Sequence, residues 1–309
     1  MLLDLGELVP ATVICRPSKV NRSPYVADCA VEGGRSAIVH CPSMDFGGKM
    51  PPGTSVMVKQ SKSYTADSKG KYGKPKCEFG VKLLKCEESE NKDIGGVWIG
   101  AQPMMGEDLA KVMFEKNLMA PDLPDIESFS QQVTFPGTNS RLDFVLTHKD
   151  GSKTVVEIKT SVDTCYNPDA TPPDRDYCVF FSDKKPYERA SIFPAGGKCT
   201  QKGPDGEPVV SERLIKHVDE LSRIAQGKVK FEKKTMNAAV LFICIREDCN
   251  EFRPNSQLDP SFCKHLVAAH DHGVKILARR VRFGKGDDLG KAFYDGALPV
   301  NLTPFAVPD

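Results

Sequence analysis

The strongest constraint on this chain is a change of texture near residue 100. Upstream of it, short runs rich in β-branched residues are cut by turn residues, and no stretch holds a helical period. The runs cover 8–15, 25–31, 36–40, 55–59, 79–85 and 97–100, with Gly33-Gly34, Pro51-Pro52-Gly53 and Gly95-Gly96 between them. Antiparallel strands this short expose unpaired edges unless the sheet closes on itself. Residues 1–100 are therefore expected to form a small all-β closed barrel.

Downstream of Pro103 helices enter. Leu109, Val112 and Met113 recur at helical spacing over 106–118, with Glu107, Lys111 and Glu115 on the other side. Strands are expected at 129–135, 142–147 and 154–160. A helix follows at 211–226, with Leu214, Val218, Leu221 and Ala225 as its stripe and Gly227 as its stop. The unbroken apolar run 238–246 reads as a strand buried on both faces. Asp259-Pro260 supplies a cap and a first-turn proline for a helix reaching His272, and a last strand covers 274–283. The order α-β-β-β-α-β-α-β makes residues 101–309 a second, α/β domain. The Pro-, Gly-, Asp- and Lys-rich stretch 161–210 is read as an insertion within it.

Lys plus Arg number 42 against 41 Asp plus Glu, so any electrostatic footprint has to be local. The apolar run 238–245 falls well short of the ~20 residues that span a membrane. The N-terminus lacks the pattern of an export or transit signal. None of the eleven cysteines forms a C-x-x-C pair, which fits reduced thiols in an intracellular protein of the cytoplasm or nucleus. No membrane partner is expected.

The chemistry concentrates in Ser140-Arg141-Leu142-Asp143-Phe144-Val145-Leu146 and Thr154-Val155-Val156-Glu157-Ile158-Lys159-Thr160. On a strand Glu157 and Lys159 share one face, and Asp143 and Val145 do the same on the first run. A two-residue turn at Asp150-Gly151 would set Asp143 opposite Ile158, on the wrong face. A three-residue Lys149-Asp150-Gly151 loop with a left-handed glycine would instead set Asp143 opposite Glu157. In that second register two carboxylates converge beside a lysine, the arrangement that holds Mg2+ or Mn2+ and activates water against a phosphodiester. Asp143, Glu157 and Lys159 are thus the candidate catalytic residues, with Asp143 and Glu157 as metal ligands. An Asp followed by Glu-x-Lys on paired strands, within this element order, is the pattern of the PD-(D/E)xK restriction-endonuclease-like fold.

Motifs spread along the chain add to this reading. His40-Cys41-Pro42, Ser140-Arg141-Leu142-Asp143-Phe144, Val156-Glu157-Ile158-Lys159, Phe193-Pro194, Ser211-Glu212-Arg213, Lys216-His217-Val218-Asp219-Glu220-Leu221, Asp259-Pro260 and Leu298-Pro299-Val300 occur in that order. In this the chain resembles the sugar fermentation stimulation protein A family over nearly its whole length. The resemblance implies an N-terminal OB-fold barrel, a nuclease-like second domain and DNA binding. That family is regarded as DNA-binding regulators of sugar metabolism, with nuclease activity suggested by the fold. Two departures stand out. Phe193-Pro194 is followed by Ala195-Gly196 where the family has an aspartate, leaving Asp205 as a substitute. The acidic residue expected on the first helix has no clear counterpart, Glu107 and Glu115 being the candidates.

Nucleic-acid contacts are expected on the barrel at Lys62, Lys69 and Lys71, in a lysine-rich segment with Tyr64 and Tyr72 interleaved, and at Arg16, Arg22 and Tyr25. In the second domain they are expected at Arg141, Arg213 and Lys216. His40, Glu212 and His217 are supporting candidates. A further cluster, Lys275, Arg279, Arg280, Arg282 and Lys285, reads either as part of such a patch or as a charge-protected edge strand.

Overall fold

The computed structural model describes residues 1–43, 48–70, 73–86, 96–134, 141–165, 188–196, 199–230 and 235–305. Its strands are β1 (Leu3–Asp4), β2 (Val9–Cys15), β3 (Val26–Ala30), β4 (Ser36–His40), β5 (Ser55–Gln60), β6 (Phe79–Cys86) and β7 (Val97–Gly100). After α1 (Met105–Glu115) come β8 (Ile126–Thr134), β9 (Arg141–His148), β10 (Lys153–Ser161), β11 (Asp163–Thr164), β12 (Ala190–Phe193), β13 (Gln201–Lys202) and β14 (Pro208–Val209). Then follow α2 (Glu212–Ala225), β15 (Asn237–Cys244), β16 (Glu251–Pro254), α3 (Pro260–Asp271), β17 (Lys275–Phe283) and β18 (Lys291–Leu298). The chain divides into two compact units. One takes Met1–Met105, Ile245–Asp248 and Val281–Phe293, and the other takes the rest. A single cut at residue 100 does not provide for the two later segments of the first unit.

In the first unit β2 pairs antiparallel with β3 and with β5, β3 with β4, and β5 with β6. A parallel contact of β4 with β6, Val39 beside Phe79 and His40 beside Gly80, closes the ring. Every strand of the ring therefore has two neighbours, and the exposed edges vanish as expected. Numbered along the chain, the ring runs first-second-third-fifth-fourth, the connectivity of an OB-fold barrel. Alternation along each strand sends Val13, Cys29, Val39, Val56, Val58 and Val81 inward to a shared core.

In the second unit β17, β15, β10, β9 and β8 lie side by side. β10, β15 and β17 are mutually parallel, joined through α2 and α3, whereas β9 and β8 return antiparallel. Both crossover helices lie on one face, where Ile215, Val218 and Leu221 of α2 and Phe262 and Leu266 of α3 pack with Val145, Val155 and Phe242. The opposite face receives α1, with Phe114 edge-on to Phe144 at 5.1 Å. Caps follow the sequence signals. The Asp259 side chain accepts from the Phe262 amide at 2.9 Å, with Pro260 in the first turn of α3. Among the described residues no helix is long and apolar enough to cross a membrane.

Three expectations change. Part of the 161–210 insertion is ordered: β12 pairs with β11 and β16, and β13 with β14, while 166–187 and 197–198 lie outside the described residues. A strand absent from the expected order, β18, flanks β17, so β17 is an interior strand and not a charged edge. The basic cluster on and after it is dispersed into separate interactions. Arg279 is buried against Asp122, Arg280 pairs with Asp295 at 2.7 Å, Arg282 lies 4.6 Å from the Phe293 ring centre, and Lys285 pairs with Glu247 at 2.8 Å.

Two measurements check this packing. A methyl added at Gly106 would lie 2.2 Å from Thr160 Oγ1, a stiff β-branched side chain. Gly106→Ala should therefore cost roughly 1–3 kcal/mol in urea unfolding despite alanine's better helix propensity. Thr160→Ala in the same chain should recover most of that loss. The ten described cysteines form no disulfide with one another, and burial pushes the Cys29 thiol from 9.0 up to about 12. The unfolded chain gives up this proton near pH 9 and the folded chain does not, so stability falls as pH rises from about 9 toward 12. Cys29→Ala should flatten that alkaline decline in urea midpoints.

Candidate active site

The turn after β9 decides the site. His148 N donates to Ser152 O at 2.9 Å across Lys149-Asp150-Gly151, and Gly151 takes φ +80°, the left-handed value its missing Cβ permits. This is the three-residue loop. The register that follows pairs Thr147 with Lys153 and Phe144 with Val156, so one step further Asp143 and Glu157 meet on the face that α2 covers. Asp143 Oδ2 accepts from the Ile158 amide at 2.8 Å, tying the first carboxylate to the backbone beside the second.

Glu157 is only 2% exposed. A carboxylate that deep stays ionised only with cationic or hydrogen-bonding partners. Lys159, two residues along the same face, donates to Oε1 at 2.6 Å. His217 from α2 donates to the same oxygen through Nδ1, while its Nε2 accepts from Arg213 Nε at 3.3 Å. The two contacts fix the imidazole as the Nδ1–H tautomer. Burial alone would raise the Glu157 carboxyl, but His217 and Lys159 outweigh it and hold the group below the ordinary carboxylate range. Asp143 goes the other way. Burial, then the Glu157 charge, push it from 3.8 up to about 6, against the lowering effect of the Ile158 amide.

One atom in this cluster stays unsatisfied: Glu157 Oε2 is buried without a hydrogen-bond partner. Beside it, Gln132 bridges two more acids, donating to Glu107 Oε2 at 3.0 Å and Asp143 Oδ1 at 3.3 Å. Gln132 stands at φ +53°, unusual for a residue with a side chain, and the pairing of Gln131 with Phe144 and Val133 with Leu142 sets it next to Asp143. Among the described residues no three His, Cys, Asp or Glu side chains group as a metal site. The donor set present is two carboxylates with one orphaned oxygen. That fits a hard cation keeping most of its coordination in water.

Of the two helix acids, Glu107 is brought here and Glu115, exposed near the end of α1, is not. Arg213 and His217 join the cluster. Glu212 and Lys216 are exposed on α2, the Glu212 amide bonding Gln201 Oε1 at 3.0 Å. Arg141 is exposed, with Nε 3.4 Å from the Gln132 carbonyl. Asp205 does not replace the missing aspartate: it accepts from Ser261 Oγ at 2.8 Å in the β13–β14 hairpin. Gln132 escaped the sequence reading because a left-handed residue inside a strand leaves no mark on a two-residue period.

On the barrel, Arg22 and Tyr25 are exposed in the loop between β2 and β3, and Lys62 and Lys69 in the segment between β5 and β6. Asn21 Nδ2 donates to the Pro75 carbonyl at 3.3 Å, joining the two loops. Arg16 differs from expectation. Its guanidinium is drawn onto the Pro24 carbonyl at 2.8 Å and the Ser43 carbonyl, so it braces the loop. His40 is exposed at the end of β4, and Lys71 lies outside the described residues. His265 pairs with Asp219 and His272 caps α3, bonded to Ser222, so these histidines form separate contacts.

Comparison with known proteins follows the same lines. The profile described as "Sugar fermentation stimulation protein RE domain" matches residues 204–287, a stretch that begins after the Asp143–Glu157 hairpin. A sugar fermentation stimulation protein homolog of Acidithiobacillus ferrooxidans is 25% identical over 284 residues, 91% of this chain and 93% of the relative. A homolog from Jannaschia sp. is 24% identical over 302 residues, 97% of each chain. Among solved structures, Pyrococcus furiosus SfsA in complex with Ca2+ superposes with a TM-score of 0.64 at 16% identity, covering 97% of this chain and 98% of that one, and so shares the fold. Full-length similarity and the matched stretch agree: over nearly its whole length the chain is similar to sugar fermentation stimulation protein homologs, and residues 204–287 match that family's RE domain.

Proposed function

We propose that this chain is a DNA-binding phosphodiesterase that works with a divalent metal, Mg2+ or Mn2+. The observation that carries the reading is the orphaned, buried Oε2 of Glu157 beside Asp143, within reach of a lysine and a histidine. Two carboxylates forced together repel, and a cation between them would offset that repulsion. Asp143 and Glu157 would hold the ion, with Glu107 linked to them through Gln132. When bound, such an ion offsets phosphate charge and lowers the pKa of a coordinated water. The solved Pyrococcus furiosus relative carries Ca2+, an ion of the same oxygen-preferring class.

The chain's own residues divide the remaining work. Lys159 presents an ammonium beside the carboxylates, suited to steady charge building on a phosphate oxygen or to hold an attacking water. His217 and Arg213 fix one oxygen of Glu157 and leave the other for a ligand. The exposed Arg22, Tyr25, Lys62 and Lys69 lie on the two loops that OB-folds use for strands of nucleic acid, pairing phosphate attraction with ring stacking.

A second reading, a DNA-binding regulator of sugar metabolism without turnover, draws on two observations. Lys159 and His217 already bond one oxygen of Glu157, and Asp205 lies in a hairpin away from the site. The two readings separate in one experiment. Purified protein with DNA and Mg2+ or Mn2+ should cleave, and Asp143→Ala, Glu157→Ala and Lys159→Ala should each lose roughly 100-fold or more. His217→Ala should lose ~10–100-fold with folding intact. DNA binding that survives a chelator, with no cleavage above that of Asp143→Ala, would leave the regulator alone. Under either reading binding should weaken steeply between roughly 50 and 200 mM salt, and replacing Lys62 and Lys69 should reduce that slope.

A further inference from the structure

The β9–β10 ladder stops at the pair Phe144–Val156. Beyond it the Asp143 carboxylate, in place of a backbone carbonyl, accepts from the Ile158 amide at 2.8 Å. Gln132, on the edge strand β8, reaches the acids at this interruption. Pairing of Gln131 with Phe144 and of Val133 with Leu142 sets it opposite Asp143, yet its own backbone leaves the pleat at φ +53°. Its Nε2 donates to Asp143 Oδ1 at 3.3 Å and to Oε2 of Glu107, in the first turn of α1, at 3.0 Å.

A carboxamide carries two N–H donors on one nitrogen, and here that nitrogen serves two different acids. Bridging a pair of carboxylates is the task of a cation, performed in this place by a neutral group. The residue type fits that task closely. Asparagine adopts a left-handed backbone more readily but is one methylene shorter. Glutamate has the reach but brings a further negative charge. Glutamine combines the reach with two donors and no charge. Among these acids the buried oxygen without a partner is Oε2 of Glu157, in a residue only 2% exposed. That oxygen, and not the pair that Gln132 already bridges, is the point that calls for a ligand.

We propose that Gln132 limits this acid cluster to a single divalent ion, its carboxamide standing in for a second cation between Glu107 and Asp143. The inference rests on the reading of Asp143 and Glu157 as metal ligands. It has a chemical consequence. Sites with two ions clamp both the attacking and the leaving oxygen of a phosphodiester. With one ion, charge on the other oxygen falls to this chain's own Lys159, whose ammonium stands 2.6 Å from Glu157 Oε1. Gln132 acts through the acids it bridges and is thus a positioning residue.

Counting the Mn2+ ions bound per chain tests this without any turnover. The metal-free full chain is titrated with Mn2+, and the free ion is followed by its electron paramagnetic resonance signal. Wild type is expected to bind one ion. Gln132→Glu sets an acidic ligand between two others and should bind two. Gln132→Asn keeps an amide and suits the backbone but gives up the span, so it should admit a second ion about tenfold or more weaker than the first. Thermal unfolding of each variant without metal shows that it is folded, and should Gln132→Glu fail to fold, the Gln132→Asn count decides. Two ions on wild type, or one ion on wild type and on every folded variant, would overturn the proposal and leave Asp143 and Glu157 as ligands. No ion on wild type would overturn the metal reading and this proposal with it.

Discussion

A carboxylate buried to 2% exposure must be neutralised where it stands, and the second unit is arranged around that requirement. Lys159 reaches Glu157 because strand geometry repeats every two residues. His217 reaches it because α2 crosses back over the same face between two parallel strands. Arg213 in turn supports the histidine from one helical turn away. Asp143 arrives by a separate device, the hairpin loop in which Gly151 adopts a left-handed conformation. A loop one residue shorter would rotate every side chain of β9 to the other face. Asp143 would then point into the aromatic packing of Phe114, Phe129 and Phe144, and Phe144 would face α2.

How much of this the sequence discloses depends on whether local signals agree with tertiary ones. Barrel strands were legible because turn residues bound them and because burial alternates along β2 and β4. The Asp143–Glu157 hairpin was legible up to a choice of loop, and the glycine supplied the geometry that the structure adopts. Strand β18 was hidden by its own composition. Asp295-Gly296 reads as a turn, yet Gly296 at φ +97° sits inside the strand. Arg279 misled for another reason: its partner, Asp122, is 157 residues away, and no local pattern distinguishes a buried arginine from an exposed one. Arg16 likewise has the composition of a phosphate contact and the position of a loop brace.

Two kinds of positive charge therefore coexist in the chain, and burial separates them. Arg16, Arg279 and Arg280 are drawn onto carbonyls or acids of their own unit and serve packing. Lys62, Lys69 and Arg22 stay exposed on loops, where holding a salt bridge would bring little stability and where a polyanion can reach them. Near-zero net charge is then no argument against a nucleic-acid partner. It averages over cations already paired inside the fold and others, on two adjoining barrel loops, that face solvent.

The acid cluster makes the opposite case. Burying charged groups costs several kcal/mol per ion, and well-packed apolar residues of similar volume commonly serve stability as well or better. A chain shaped only for folding has no reason to set Asp143 against Glu157, then spend Lys159, His217, Arg213 and Gln132 on managing them. Nor does it explain the left-handed backbone at Gln132, a local strain that a strand would otherwise avoid. The unpartnered oxygen of Glu157 is the telling detail. Four side chains hold this pair in place, and none of them completes it. A ligand bound at that oxygen would supply what the fold leaves out, and it accounts for why the charge is kept.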